Sequence, residues 1–304
     1  MAKVLITGVA GFIGSNLAEK LLQNGHEVIG VDDLSYGILE QVPKGVEFHK
    51  IDIRSEDIFS LFKGVHTVFH LAAKNDLIAC QENPVETISV NVHGTINIFE
   101  ASRRAGVKKV VFASSSALEE GEARLKGFYA ISKTVCEKIA DGYHVAFGLN
   151  YVLLRYFNVY GPRQDYRRAH PPVMSALIIK VLKGEQPILY EGYEENKRDF
   201  IYVDDANDFN ILCIENENMN NKFFRLGTGK SSSIEDVWNA VKKVTGSNLE
   251  PIIKSRLPLD TLSVTLADIT EAGKIGWKAK TSLEDGLKAQ FEYLKSEFIK
   301  GKIK

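Results

Sequence analysis

The chain has 304 residues, 44% of them hydrophobic and 25% charged, which suits one large globular domain or two moderate ones and not a disordered or fibrous protein. A formal net charge of −1 gives no basis for a general affinity for nucleic acid or anionic membrane, so neither is expected as a partner. Cys80, Cys136 and Cys213 form no CxxC pair and no zinc-type spacing. They read as half-buried packing residues of a reducing cytoplasm, and no metal site is expected. No apolar run nears the roughly 20 residues of a membrane span, and no leader pattern opens the chain. A cytoplasmic, complete protein is the expectation.

In chain order, Lys3–Thr7 predicts a strand and Phe12–Gln23 a helix, with apolar residues at helical spacing. Further strands are predicted at Glu27–Val31, Val46–Ile51, Thr67–Leu71, Lys109–Ala113 and Tyr151–Tyr156. Helices are predicted at Thr87–Ala105 and Tyr129–Phe147. Near-continuous apolar strands alternating with helices imply an α/β fold with a doubly wound parallel sheet. Ligands of such sheets sit beyond the carboxyl ends of the strands. After Gly161 the pattern changes, with helices expected at Val173–Leu182, Asp205–Ile214, Ser233–Val244 and Leu283–Phe298 and a strand at Phe200–Val203. The expected division is a dinucleotide-binding domain over residues 1–160 and a smaller mixed substrate domain over 161–304. Part of 198–215 is expected to pack back on the first.

Gly8, Gly11 and Gly14 follow the first strand and open the first helix. Glycines there let the backbone turn tightly and approach a pyrophosphate, while the helix N-terminus offers free N–H groups. Asp32 ends the second strand, where a carboxylate accepts from both adenosine ribose hydroxyls and repels a 2′-phosphate. NAD is therefore favoured over NADP. Asp52 and Ile53, after the third strand, are candidates to frame the adenine.

Tyr129 and Lys133 stand four apart at a helix start, so both side chains share one face. A neighbouring ammonium favours the phenolate of a tyrosine whose ordinary pKa is about 10. The pair follows a strand ending in Ser114, Ser115 and Ser116, hydroxyls expected to face the nicotinamide.

Taken together, TGVAGFIG, the HLAA of His70–Ala73, FASSSA, YAISK, RYFNVYGPRQ, KRDFIYVDD and LGTGKSSSIEDV resemble the extended short-chain dehydrogenase/reductase family. Within it the chain is similar to the NAD-dependent nucleotide-sugar epimerases and dehydratases, the UDP-glucose 4-epimerases above all. The resemblance spans essentially the whole chain. It implies that Gly8, Gly11, Phe12, Ile13, Gly14 and Asp32 hold NAD. Leu71, Ala72, Ala73 and Asn91 would line its path. Ser115, Tyr129 and Lys133 would be the catalytic trio, with Lys133 also on the nicotinamide ribose. Asn158 and Arg198 would grip the nucleotide-sugar diphosphate, Arg198 being alternatively a surface partner of Asp199. Lys74, with Asn75 beside it, would touch the sugar. Arg163, Arg167, Arg168 and His170 would cover the nucleotide, or else be solvated. A homodimer is implied through the two long helices.

Two departures from the family pattern stand out. Ser115 and Tyr129 are only 14 positions apart, where relatives carry a longer loop, and RLPLD at Arg256–Asp260 replaces an Arg-Pro-Gly-Asp. Arg256 is the candidate to take over the diphosphate contact. Three functions are open on these residues. A UDP-hexose 4-epimerase needs only the trio and NAD. A 4,6-dehydratase or decarboxylase needs added acid–base groups, but Ser116 and Ala117 occupy those places, with Glu119 and Glu120 in the shortened loop. A non-catalytic dinucleotide-binding regulator would have no use for the Tyr–Lys pair.

Overall fold

The computed structural model describes residues 1–119, 127–168, 171–256 and 264–303. In chain order its elements are β1 (Lys3–Thr7), α1 (Phe12–Gln23), β2 (Glu27–Asp32), β3 (Glu47–Lys50), β4 (Thr67–His70), α2 (Leu77–Glu82), α3 (Pro84–Ile88), α4 (Gly94–Ala105), β5 (Lys109–Ser115) and α5 (Phe128–Phe147). There follow β6 (Asn150–Tyr156), β7 (Asn158–Tyr160), α6 (Val173–Leu182), β8 (Ile188–Tyr190), β9 (Lys197–Arg198), β10 (Phe200–Tyr202) and α7 (Val203–Glu215). The last are β11 (Lys222–Leu226), β12 (Ser232–Ser233), α8 (Ile234–Thr245), β13 (Ile252–Lys254), α9 (Thr270–Lys274) and α10 (Leu283–Ile299). Among the described residues no helix is long and apolar enough to cross a membrane.

The chain forms two compact units, Met1–Tyr156 with Asn207–Arg225, and Phe157–Ala206 with Leu226–Lys304. The first holds a seven-stranded sheet in the order β11-β6-β5-β4-β1-β2-β3. From β6 to β3 the strands are parallel, with Thr7 opposite Val31 and His70, and Ser115 opposite Tyr156. The order runs outward one way from β1 to β3 and the other way from β4 to β6. The sheet is thus doubly wound, and its switch point lies between β1 and β4, where the glycine turn leaves β1. Leu5, Val31, Val68, Ile98, Phe99, Val110 and Phe112 form much of its core. Burying each such side chain stabilises the fold by about 1.5–3 kcal/mol.

Boundaries differ from expectation in three informative places. The helix expected at Thr87–Ala105 begins at Pro84 and is interrupted by a wide π-type turn at Ser89–His93, centred on Asn91. Strand β5 runs two residues further, to Ser115, because it pairs with β6 along its full length. The edge strand β11 was not expected from its short and half-exposed KFFRL sequence. All three cysteines are fully buried and free, not half-buried.

Among the described residues the second unit has three two-stranded ribbons: β10–β7 and β13–β8 parallel, and β12–β9 antiparallel. Its core joins α6, α8 and α10 through Leu177, Ile178, Trp238, Val241, Leu287 and Leu294. Ser233 and Asp236 cap the start of α8 reciprocally, and Ser282 caps α10.

Candidate active site

The glycine turn is built for close approach. Gly8 has φ +75°, and a Cβ there would lie 2.9 Å from the Ala72 nitrogen. A Cβ on Gly14 would lie 2.2 Å from the Gly8 carbonyl oxygen, so only glycine lets α1 pack on the turn. Helix α1 starts at Gly11 with no side-chain cap and no acidic residue in its first turn. Its amide groups are left for an anion, as a dinucleotide pyrophosphate requires. Phe12 and Ile13 form the first turn of that helix.

Asp32 is 8% exposed. Its carboxylate accepts from the Ala10 N–H at 3.0 Å and the Leu34 N–H at 2.8 Å. Burial raises its pKa, against the lowering effect of these two amides. The remaining lone pairs suit ribose hydroxyls, so the site fits the expected NAD. Asp52 is clamped by Arg54, through Nε at 3.0 Å and Nη2 at 2.6 Å, and this pairing lowers its pKa. Ile53 is buried, its side chain belongs to the core, and its carbonyl accepts from Asn97. Its expected place at the adenine is therefore not one of side-chain exposure.

A chain of hydrogen bonds runs behind the turn. The Thr95 hydroxyl donates to the Asn91 carbonyl at 2.5 Å, so toward His70 Nε2, 3.0 Å away, it accepts. That leaves His70 Nδ1 to accept from the Thr7 hydroxyl at 2.7 Å, which in turn accepts from the Ala72 N–H at 3.2 Å. Burial pushes the His70 imidazole down to about 3, so the ring is neutral and its tautomer fixed. In this way β1, β4 and α4 hold the Leu71–Ala73 backbone against the glycine turn. Sequence reasoning placed His70 only as part of HLAA. Its partners, 63 residues away in the case of Thr7, were out of reach of any local pattern.

Asn91 fixes the next segment. Its Oδ1 accepts from the Lys74 N–H at 2.8 Å, and its Nδ2 donates to the Lys74 carbonyl at 3.0 Å and to Ser132 Oγ at 2.9 Å. The π-type turn carries this side chain into the interior, a use to which such turns are often put. Lys74, expected at a sugar, has its ammonium 4.3 Å above the ring centre of Tyr36.

Tyr129 and Lys133 both lie in the first turns of α5. Lys133 is 3% exposed, its Nζ donates to the Ala113 carbonyl at 2.5 Å, and it stands 6.0 Å from the Tyr129 ring centre. Burial lowers its pKa to about 8, which leaves it charged at neutral pH. Ser115 is two residues beyond Ala113, at the end of β5, with its Oγ accepting from the Ala117 N–H at 3.1 Å. The expected trio thus comes from one strand end and one helix start. Residues 120–126, including Glu120, lie outside the described residues. Glu119 is engaged by Arg155 at 2.9 Å and by Arg225 at 2.6 Å.

In the second unit Asp199 is fully buried. Its carboxylate accepts from the Thr228 N–H and hydroxyl, both at 2.7 Å, and from the N–H groups of Gly229 at 3.0 Å and Ala267 at 3.1 Å. It is therefore committed to this hub and is no surface partner for Arg198, whose Nη1 donates to the Lys197 carbonyl. Asn158 spends its Nδ2 on the Asp199 carbonyl at 3.0 Å and Thr265 Oγ1 at 3.3 Å. The side chain braces the Arg198–Asp199 segment, so the donor expected for a diphosphate is already in use. Arg256 follows β13 and donates to the Glu191 carbonyl at 3.4 Å. Arg167 and Arg168 both flank Asp165. His170 and the residues 257–260 of RLPLD lie outside the described residues. Among the described residues no cluster of His, Cys, Asp or Glu is placed to hold a metal ion.

A close-packed glycine turn, a buried acidic strand end and, on the neighbouring strand and helix, a serine, a tyrosine and a buried lysine are the features expected of a nucleotide-dependent redox enzyme. Residues 4–227 match the model of the NAD dependent epimerase/dehydratase family. A putative UDP-glucose 4-epimerase of Methanocaldococcus jannaschii is 35% identical over 306 residues, covering 96% of this chain and 98% of the relative. A UDP-N-acetyl-alpha-D-glucosaminuronate decarboxylase of Bacillus cytotoxicus is 34% identical over 265 residues, 81% of each chain. The crystal structure of the Thermotoga maritima UDP-glucose 4-epimerase with UDP-glucose superposes with a TM-score of 0.90 at 33% identity, covering 97% of this chain and 99% of that one. The chain belongs to the NAD-dependent epimerase/dehydratase family, on the extended short-chain dehydrogenase fold, and its cofactor is NAD.

Proposed function

We propose that the chain is a 4-epimerase of a UDP-linked hexose. The observation that carries this reading is the buried, charged Lys133 beside Tyr129, with Ser116 and Ala117 in place of an acid or base directly after Ser115. Tyr129, as phenolate, takes the proton of the sugar 4-hydroxyl. NAD, when bound, supplies the redox step at C4, removing a hydride and giving it back. Ser115 steadies the reacting oxygen, and Lys133 stabilises the phenolate. The keto sugar turns over, and Tyr129 returns its proton to O4 when the other face is reduced. The cycle consumes no further reactant.

Elimination or decarboxylation would need an additional proton shuttle. Ser116 is a buried hydroxyl, Ala117 has no polar group, and Glu119 is occupied by two guanidinium groups. These features favour epimerisation. Arg198 is assigned to the diphosphate, since a guanidinium is shaped for bidentate phosphate contacts. The first unit takes the dinucleotide and the second the nucleotide-sugar. Exposed Ile96 on α4 and Ile131 and Val135 on α5 support pairing of two copies as a homodimer. Three free thiols suit a reducing, cytoplasmic setting.

The test is a panel of UDP-sugars followed by proton NMR. Interconversion of 4-epimers supports the proposal. Loss of the C6 hydroxymethyl or carboxyl group in its place would reassign the reaction.

A further inference from the structure

Two loops reach the glycine turn from opposite sides. Strands β2 and β4 flank β1 in the sheet, so the segments after them border the turn that follows β1. On the β2 side the Ile38 N–H donates to the Ala10 carbonyl at 2.9 Å. Gly37 packs so closely there that a Cβ would lie 2.7 Å from both Ala10 Cβ and Asp32 Oδ1. On the β4 side the Ala72 backbone abuts Gly8, and Asn91 grips the Lys74 backbone at both its N–H and its carbonyl.

Each loop is therefore anchored to the turn, and each sends one long side chain outward. Tyr36 comes from the first and Lys74 from the second, and they meet as an ammonium over an aromatic face at 4.3 Å. The bridge joins the segments that follow the two strands flanking β1, the strand from which the glycine turn departs. Among the described residues Lys74 forms no ion pair, although its charge reaches Asp52 at the end of β3. Tyr36 is 46% exposed, so the contact contributes little to the core. A cation presented beside a dinucleotide-type glycine turn can offer its charge to a phosphate-bearing ligand.

We propose that Tyr36 and Lys74 form a clasp across the NAD groove that must part to admit or release the cofactor, so that it sets how long NAD stays bound. Lys74 is on this reading a cofactor residue and not a sugar residue. An enzyme that regenerates its cofactor in every turnover gains from slow release. The inference rests on NAD binding alone and not on which sugar reaction follows.

The experiment loads the full chain with adenine-labelled NAD and chases it with excess unlabelled NAD, following retained label by rapid filtration. Tyr36→Leu and Lys74→Met should each speed release about tenfold, as loss of a partly desolvated cation–aromatic contact implies. Tyr36→Phe keeps the ring and should stay within about twofold of wild type. The double variant Tyr36→Leu/Lys74→Met should release label no faster than the faster single variant, because both break one contact. Release from Tyr36→Leu at the wild-type rate, or effects that multiply in the double variant, would overturn the clasp. Wild-type protein that retains no label would instead remove the cofactor assignment itself.

Discussion

Arg155 grips Glu137 through both carboxylate oxygens, Nε to Oε1 at 2.9 Å and Nη2 to Oε2 at 2.7 Å. The Ser114 hydroxyl donates to the same Oε1 at 2.5 Å. Glu137 lies one helical turn after Lys133, so this network bolts the helix that carries Tyr129 and Lys133 to the ends of β5 and β6. Removing one member of a buried charged pair costs about 3–5 kcal/mol. Glu137→Ala should lose stability of that order in urea denaturation, with the catalytic rate falling more than NAD affinity. Glu137→Gln keeps the shape and should recover part of both. A Glu137→Ala protein as stable as wild type would show that the network does not brace the helix.

The second prediction concerns Lys133 and pH. Its folded pKa of about 8 lies below the ordinary 10.5. Between these values the unfolded chain holds a proton that the folded chain has lost, so this group makes stability rise with pH. Below about pH 8 both states hold the proton and the full penalty of burying the ammonium remains, about 3 kcal/mol. Measured against Lys133→Met, the wild-type protein should therefore gain stability from pH 8 to 10.5. A difference between the two proteins that stays constant over that range would contradict the burial of a charged ammonium.

Asp199 gives a third. Its two oxygens receive four donors, and an amide in its place presents an N–H₂ group to some of them. Asp199→Asn should cost about 1–3 kcal/mol, the penalty of buried unsatisfied polar groups. Because the adjacent Arg198 is assigned to the diphosphate, KM for the nucleotide-sugar should rise more than kcat falls. An unchanged KM with lowered stability would leave Asp199 a purely structural hub.

Most of the central sheet was legible because strands such as β1, β2 and β5 carry short apolar runs rich in β-branched residues. Lys3–Thr7 and Phe12–Gln23 have the predicted bounds, since Gly8 and Gly11 punctuate them. Expectations for Gly8–Gly14, Asp32, Tyr129 and Lys133 could be formed because each role demands one residue type at one spacing. What sequence could not reveal is long-range pairing. Thr7 with His70, Glu137 with Arg155, and Asp199 with Ala267 join residues whose local patterns say nothing of one another. The π-type turn at Ser89–His93 was hidden for a related reason, as its apolar periodicity differs little from an ordinary helix. Strand β11 was missed because an edge strand shows one face to solvent, and its KFFRL run is too short to show alternation.

The most direct measurement of the whole account is the turnover of Tyr129→Phe on the UDP-sugar that wild type accepts, with bound NAD quantified in the same samples. Loss of the phenolic hydroxyl should lower kcat by about 10²–10⁴-fold, the usual worth of a general acid–base group, while NAD remains bound. Wild-type turnover in that variant would contradict the assignment of Tyr129 as the proton acceptor.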